Sequence, residues 1–239
     1  MIIEGKNAIF EALNSNQTIN KLMVQNNLTD NMSNQIIKIA KDKGIRIDFV
    51  SKEVLDRKTT NRHQGFVGEV TDFKYGEVED IFNLATKRGE DPFIVILDGI
   101  EDPHNLGAII RTCECAGVHG IIIPEHRSCA VNDTVVKTSA GATSNMIIAR
   151  VGNINSTIEI LKKEGVWVYC LETGGEEMTQ TNLKGSIAIV VGSEGRGVSR
   201  LTREKCDKTI SIKLKGKINS LNASVATAVV VYEILRQRG

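Results

Sequence analysis

The first third of the chain alternates between two kinds of hydrophobic spacing. Residues 8–13 and 35–40 repeat apolar side chains at helical intervals, whereas 21–24 and 45–50 form short strand-like segments between them. Glycine punctuates the last strand-like segment, which ends near residue 70. The pattern predicts a small α/β domain over residues 1–75.

From residue 93 onward, continuous apolar runs replace the alternating ones. Such runs are typical of strands in a parallel sheet that is covered by helices on both faces. The predicted strands are 93–98, 120–124, 166–170, 186–191 and 209–212, and the first predicted helix is 107–116. We therefore predict a larger α/β domain over residues 93–239.

Between these domains the chain is polar and acidic. Residues 76–91 contain five acidic residues against two basic ones. We predict a linker over residues 76–92.

The bulk composition fits a folded protein without a global charge. The 239 residues are 41% hydrophobic and 25% charged, and 30 basic residues nearly balance 29 acidic ones, for a net charge of +1. Contact with nucleic acid would therefore depend on a local patch. We name residues 200–217 the basic patch, because it holds seven basic residues against two acidic ones.

Cysteine usage and the ends of the chain favour a reducing compartment. The five cysteines form no Cys-x-x-Cys pair and have no histidine at ligand spacing, which argues against a disulfide framework and a zinc site. The N-terminus has no apolar leader and no apolar run is long enough to span a bilayer. We expect a cytoplasmic protein with no metal and no membrane partner.

Polar side chains crowd the start of the last predicted helix. Asn219, Ser220, Asn222 and Ser224 fall within six residues, just before an apolar helical face over 225–234. One such side chain is enough to cap a helix. Helix capping and ligand binding therefore both remain open for this cluster.

Two further loops follow apolar strands, where ligands bind in open α/β sheets. Asn105 and Arg111 lie in the loop and helix after 93–98, although a helix cap and a surface ion pair would also explain them. Gly192, Gly195 and Gly197 follow 186–191 and allow backbone amides to approach a ligand closely. The Walker and dinucleotide glycine spacings are absent, which disfavours a nicotinamide-dependent oxidoreductase.

Three ordered motifs in these loops resemble those of the SpoU/TrmH RNA ribose 2′-O-methyltransferases, of the SPOUT class. They read DPHNLGAIIRT, VGSEGRG and SLNASVA, with KTSAGA at 137–142 between the first two. The N-terminal IEGKNA and HQG resemble that family's substrate-binding domain. The full layout is most similar to the enzymes that methylate a guanosine ribose in large-subunit ribosomal RNA.

This resemblance implies a fold, a cofactor and a site. The expected fold is a parallel sheet with a C-terminal trefoil knot, which binds S-adenosylmethionine among its loops and pairs as a homodimer on 23S ribosomal RNA. The residues carried over as catalytic are Asn105, Arg111, Glu194, Ser220 and Asn222. Those carried over as cofactor-binding are Gly192, Ile212, Leu214 and Leu221.

The chain departs from the family pattern at one position, and two other functions are alternatives to ribosomal RNA methylation. Ile212-Lys213-Leu214 stands where the family usually has Ile-Pro-Met, so a charged residue replaces a rigid proline. The alternatives are a transfer RNA 2′-O-methyltransferase and a non-catalytic RNA-binding or ribosome-associated protein.

Overall fold

Two hydrophobic cores follow the two patterns of the sequence. The computed structural model describes residues 1–15, 18–59, 62–71 and 73–239. They form one unit of Met1–Lys74 with Ala130–Asp133, and a second of Tyr75–Cys129 with Thr134–Gly239. The predicted linker, 76–92, falls in the second unit.

The first unit is a four-stranded sheet with helices on both faces. The strand order is β1-β4-β2-β3, in which β2 and β3 are parallel and the other pairs are antiparallel. Its elements are β1 (Ile2–Glu4), α1 (Lys6–Asn14), β2 (Thr18–Gln25), α2 (Asn31–Asp42), β3 (Arg46–Val50), α3 (Lys52–Asp56) and β4 (Phe66–Thr71).

Strand β2 shows how this unit buries both faces of its sheet. Leu22 and Val24 belong to the core that contains α1 and α2, whereas Met23 packs with Leu55 of α3. Successive side chains of a strand point to opposite faces, so these alternating contacts follow from strand geometry.

The second unit is a six-stranded, wholly parallel sheet, ordered β10-β8-β9-β5-β6-β7. The predicted α/β class and parallel sheet are therefore confirmed. Its elements are α4 (Val78–Arg88), β5 (Phe93–Asp98), α5 (Pro103–Cys115), β6 (Gly120–Pro124), α6 (Asp133–Thr138), β7 (Ile147–Val151), α7 (Ile154–Lys163), β8 (Trp167–Glu177), β9 (Ile187–Gly192), α8 (Arg200–Lys205), β10 (Lys208–Ser211) and α9 (Ala223–Arg238).

Helices cover both faces of this sheet, which explains its continuous apolar strands. Ile94 and Ile96 of β5 pack in one core with residues of α4 and α7. On the other face, α5 packs against β6, and α9 packs against β9 and α5. Within the described ranges, the helices lack the length and apolar run that crossing a membrane needs.

Helix α4 occupies most of the segment that the sequence predicted as a linker. Ile81 of this helix is fully buried in the core of the second unit. It lies against Gly120, where an added Cβ would stand 2.4 Å from the Ile81 side chain. The polar composition of the segment reflects the exposed side of α4, which is an amphipathic helix with a left-handed glycine, Gly89, at its end.

A buried histidine joins the start of β5 to the turn before β6. His119 is 1% exposed, and its Nδ1 accepts the Phe93 N–H at 3.0 Å, so the Nε2 proton faces Glu90 at 3.0 Å. Burial lowers the pKa of His119, although Glu90 opposes this effect. The neutral imidazole is thus the form that the fold stabilises.

We predict that the second unit loses stability as the pH falls below the unfolded histidine pKa of about 6.5. The unfolded chain protonates His119 more readily than the folded chain, so acid favours unfolding. His119→Asn keeps an acceptor for Phe93 but cannot titrate, and should show a weaker dependence between neutral and mildly acidic pH. The measurement is urea unfolding followed through Trp167, the single tryptophan.

The exposed His126 provides the matched control. His126→Asn should keep the pH dependence of the unsubstituted protein. Equal pH dependence in His119→Asn and the unsubstituted protein would contradict the assignment.

Candidate active site

Three segments meet beyond the carboxyl ends of the parallel strands. They are the loop between β5 and α5, the loop between β9 and α8, and the segment 212–222 between β10 and α9. We name the stretch 192–197 after β9 the glycine loop. This edge is where open α/β sheets bind ligands, and the sequence predicted chemistry in all three segments.

Glu194 of the glycine loop is the point at which the three segments join. Its Oε1 accepts hydrogen bonds from Asn105 Nδ2 at 3.2 Å, from Ala223 N at 3.4 Å and from Asn222 Nδ2. Asn222 Nδ2 also donates to Asn105 Oδ1 at 3.0 Å. We name Asn105, Glu194 and Asn222 the amide–carboxylate cluster; the structure brings these three predicted site residues into direct contact.

Asn222 serves the helix and the cluster at once. Its Oδ1 caps α9 by accepting the backbone N–H groups of Ser224 at 3.0 Å and Val225 at 3.3 Å, together with the Ser224 hydroxyl. Because the oxygen is committed to the helix, the amide nitrogen must face Asn105 and Glu194. Capping and site assembly, which the sequence left as alternatives, therefore both involve Asn222.

Asn105 is available to the cluster because another residue caps α5. Asp102 accepts the His104 N–H at 2.9 Å, and Pro103 occupies the first helical position. Asn105 lies in the first turn of α5. The sequence-based alternative that Asn105 itself caps this helix is wrong.

A cavity of about 380 Å³ lies between the glycine loop and the segment after β10, within the size range of small-molecule sites. We name it the first cavity. All four residues predicted to hold the cofactor line it, and so do Ser220 and Glu194 of the predicted catalytic set. Apolar side chains and glycine-loop backbone form much of its wall: Leu171, Val191, Gly192, Gly195, Gly197, Ile212, Leu214, Leu221, Ala223 and Ala226.

Close backbone contacts shape the glycine loop. An added Cβ at Gly192 would stand 2.0 Å from the carbonyl carbon of Gly197, a distance that no side chain tolerates. Gly197 itself has φ +64°, in the left-handed region that favours glycine. The loop therefore folds back on the end of β9 in a conformation that a side chain at position 192 would prevent.

Glu172 is a cavity residue that sequence reasoning missed. It lies within β8, its Oε2 accepts the Val198 N–H at 3.2 Å, and a Cβ on Gly197 would be 2.3 Å from that oxygen. Glu172 therefore braces the glycine loop from the neighbouring strand. A lone glutamate near the end of an apolar strand gave no signal in the sequence.

Lys213, which replaces the usual proline of the family, has an acidic partner. Its Nζ lies 3.1 Å from Glu177 at the end of β8, and this hydrogen bond lowers the pKa of Glu177. Lys213 is exposed, while its neighbours Ile212 and Leu214 still line the first cavity. The substitution thus places an ion pair beside the cavity wall.

Arg111 is the predicted catalytic residue that the structure does not bring to the cluster. It lies on α5, is exposed, and does not line the first cavity. In the part of the chain that the structure describes, its guanidinium has no acidic partner. The sequence-based alternative of a surface ion pair therefore finds no support in these residues.

The basic patch offers less unpaired positive charge than its composition indicates. Four of its seven basic residues lie within 4 Å of a carboxylate, in the pairs Arg200–Glu204, Lys205–Glu159, Lys208–Glu176 and Lys213–Glu177. Arg203, Lys215 and Lys217 have no ion pair among the described residues. The charge available for phosphate contact is therefore limited to these three, of which Lys215 and Lys217 belong to the segment between β10 and α9.

The structure groups neither cysteines nor acidic residues into a metal centre. Over residues 1–15, 18–59, 62–71 and 73–239, no three His, Cys, Asp or Glu side chains converge closely enough to hold a metal ion. The five cysteines form no disulfide with one another, and Cys115 is the exposed one.

Comparison with known proteins identifies the family of this α/β fold. The sequence profile of the SpoU rRNA Methylase family matches residues 92–232, and that of RNA 2′-O ribose methyltransferase substrate binding matches residues 2–76. The chain belongs to the SpoU rRNA methylase family, whose members are S-adenosylmethionine-dependent RNA methyltransferases.

Relatives match over almost the whole chain. The Bacillus subtilis protein that carries the name TrmH family tRNA/rRNA methyltransferase YacO is 42% identical over 236 residues, which cover 98% of this chain and 94% of the relative. A Staphylococcus aureus protein that carries the same family name is 40% identical over 239 residues, covering 99% of this chain and 96% of its own.

Solved structures share the fold. The SpoU methyltransferase AviRb from Streptomyces viridochromogenes, in complex with the cofactor AdoMet, aligns with a TM-score of 0.63 at 20% identity, over 99% of this chain and 90% of that one. An AdoMet-bound ribosomal RNA methyltransferase from Sinorhizobium meliloti aligns with a TM-score of 0.62 at 23% identity, over 98% and 86%.

The first cavity fits a cofactor of this kind by its own features. Its glycine loop has no side chain at Gly192, Gly195 and Gly197, which all line the cavity, and its apolar walls suit a nucleoside. Two carboxylates, Glu172 and Glu194, line it and would favour a cation such as a sulfonium.

We predict that Gly192→Ala weakens S-adenosylmethionine binding by roughly tenfold or more and destabilises the second unit by about 1–3 kcal/mol, because the new Cβ displaces the glycine loop. Titration calorimetry and urea unfolding measure the two effects. Gly152→Ala is the matched control, since a Cβ there meets a Glu125 carboxylate oxygen at an ordinary 3.6 Å and Gly152 does not line the first cavity. Unchanged affinity in Gly192→Ala would show that the loop does not shape the cofactor site.

Proposed function

We propose that this protein methylates the ribose 2′-hydroxyl of a guanosine in 23S ribosomal RNA. The observation that supports this most directly is the amide–carboxylate cluster, which lies at the edge of the first cavity and shares Glu194 with it. A hydroxyl group placed beside the cluster would be next to the bound cofactor. The cytoplasm is the proposed location.

The cluster would orient the ribose hydroxyl. When bound, S-adenosylmethionine supplies an electrophilic methyl group on a sulfonium. Glu194 Oε1 is occupied by its three donors, which leaves Oε2 to accept a hydrogen bond from the hydroxyl. Ser220 lines the same cavity and would hold the ribose on its other side. Orientation of a weak nucleophile is the main contribution that such groups make to an in-line transfer.

Arg111 would act on the RNA backbone rather than as a base. A guanidinium is a poor general base at neutral pH. Its exposure and its lack of an acidic partner in the described chain leave it available for a phosphate, which it would bind through two N–H groups. That contact would fix the target nucleotide and stabilise charge as the hydroxyl loses its proton to phosphate or water.

The roles of the remaining parts follow from the same proposal. The first unit would bind RNA structure, with Lys215 and Lys217 adding phosphate contacts near the first cavity. Ile212, Leu214 and Leu221 would hold the cofactor together with Gly192. We further propose that the segment 212–222, which reaches the glycine loop before α9 begins, completes a trefoil knot.

We also propose a homodimer that pairs through α9. One side of this helix packs on α5, while Val225, Val229, Tyr232 and Leu235 are 37–49% exposed on the other. Their spacing makes a continuous apolar stripe, and a second copy of the chain would cover it symmetrically.

The decisive experiment is methyl transfer from tritiated S-adenosylmethionine to ribosomal and transfer RNA from cells that lack this protein, with the modified nucleotide mapped. We expect incorporation into 23S RNA that a 2′-deoxy substitution at the mapped position abolishes.

Arg111→Lys should lower kcat/KM about 10- to 100-fold, because an ammonium cannot replace the bidentate contact. Cofactor affinity should not change, since Arg111 does not line the first cavity.

Arg203→Lys, another exposed arginine without an ion pair among the described residues, is the matched control and should keep full turnover. Full turnover in Arg111→Lys would refute the bidentate contact. Transfer to transfer RNA alone would assign the other substrate, and cofactor binding without transfer to either would favour the non-catalytic RNA-binding protein.

For the dimer, we predict that Val229→Glu converts a species of twice the chain mass into a monomer, because a charge would be buried at the centre of the paired helices. Light scattering after size exclusion measures this. Val54→Glu, at a valine of similar exposure on α3, is the matched control and should leave the mass unchanged. A dimer that survives Val229→Glu would place the interface elsewhere.

A further inference from the structure

A second cavity lies across the glycine loop from the first. Its volume is about 440 Å³. Ser193, Glu194, Gly195, Arg196 and Gly197 line both cavities, so this loop is their common wall. The second cavity also reaches Asn105 of the amide–carboxylate cluster.

Two of the carboxylates that line this cavity are partly committed to the fold. Asp98 Oδ2 accepts the Ser199 N–H at 2.9 Å, and Asp102 Oδ1 caps α5. Glu101, by contrast, is exposed and has no hydrogen-bond or ion-pair partner among the described residues. Arg127 and Arg196 complete the lining and are likewise unpaired in the described chain.

The charge pattern favours a nucleobase over the other parts of RNA. The four carboxylates Asp98, Glu101, Asp102 and Glu194 would repel a phosphate, although all of them except Glu101 accept N–H donors. A divalent cation is also disfavoured, because no three acidic groups of the described chain converge on one point. Unstacked RNA bases, in contrast, are bound by hydrogen bonds to their edges and by stacking on arginine planes, which are the groups that this cavity offers.

Glu101 would discriminate among bases by their donors. A carboxylate accepts two hydrogen bonds side by side, and only guanine among the four RNA bases carries two adjacent donors, N1–H and the 2-amino group. Adenine and cytosine place an acceptor beside their amino group, and uracil has a single N–H between two carbonyls. An acceptor facing Glu101 would leave a repulsive contact.

We propose that the second cavity is the pocket of the target nucleobase, and that Glu101 selects guanine by accepting its N1–H and 2-amino protons. This assignment rests on the proposed function, because a base held here would place its ribose beside Asn105 and Glu194. Arg127 or Arg196 would stack on the base.

Binding of free nucleosides tests the pocket without requiring methyl transfer. The full chain, with S-adenosylhomocysteine saturating the first cavity, is titrated with guanosine, inosine, adenosine and uridine up to their solubility limits. The readout is the amide resonance of Gly99, which lines only the second cavity. Guanosine should shift this resonance, and inosine, which lacks the 2-amino group, should bind about tenfold more weakly.

Glu101→Gln should remove the preference for guanosine over inosine, whereas Glu164→Gln, at an exposed glutamate on the far end of α7, should keep it. The affinity for S-adenosylhomocysteine should be equal in all three proteins, which shows that the fold is intact. The proposal is overturned by equal binding of all nucleosides, by a guanosine preference that survives Glu101→Gln, or by no shift at Gly99.

The pocket and the proposed function would fail on different outcomes. Guanosine binding at Gly99 without methyl transfer to any RNA would refute the proposed function and leave the pocket standing. Methyl transfer to a guanosine of 23S RNA together with equal binding of all four nucleosides would overturn the pocket and leave the proposed function standing.

Discussion

One carboxylate oxygen holds together parts of the chain that are far apart in sequence. Glu194 Oε1 accepts N–H groups from residues 28, 29 and 89 positions away. It therefore joins the glycine loop to the N-terminal ends of α5 and α9. Each donor comes from the first turn of a helix or from its cap, so the bonds are oriented by rigid elements. The site depends on this convergence more than on any single loop.

The glycine loop can reach this position only because its backbone lies unusually close to itself. An added Cβ at Gly192 would stand 2.0 Å from the carbonyl carbon of Gly197. Glu172 of β8 also holds the loop, by accepting the Val198 N–H. The loop therefore forms a thin partition with a cavity on each face. With the cofactor in one cavity and the substrate in the other, as proposed, this partition would hold the two reactants close together on separate walls.

Much of the fold was accessible from the sequence, and the reason lies in the parallel sheet. Strands buried on both faces must be continuously apolar, so β5 and β6 were predicted at their observed bounds. Helix α4 was predicted as a linker because its exposed side dominates its composition. Strand β7 at the sheet edge and helix α7 went unpredicted, since their apolar residues are interleaved with polar ones.

The sequence predicted the site residues that belong to a family motif. It missed those that are recognised only by their position in the folded structure. Asn105, Glu194 and Asn222 belong to the family motifs. Glu172 and Glu101 lie outside them and became candidates only because the structure places them in the cavity walls. The basic patch shows the reverse error. Its lysines are counted easily in the sequence, but their carboxylate partners lie up to 46 residues away, on α7 and β8.

The double use of Asn222 couples the last helix to the site thermodynamically. The same amide holds the first N–H groups of α9 and the cluster at Glu194, so a loss of order at either end weakens the other. By linkage, a ligand that orders the cluster would also stabilise the first turn of α9, and the coupling free energy would be the same in both directions. Helix α9 is therefore a reporter of occupancy, and amide hydrogen exchange in its first turn would register events at a site that it lines with only two alanines.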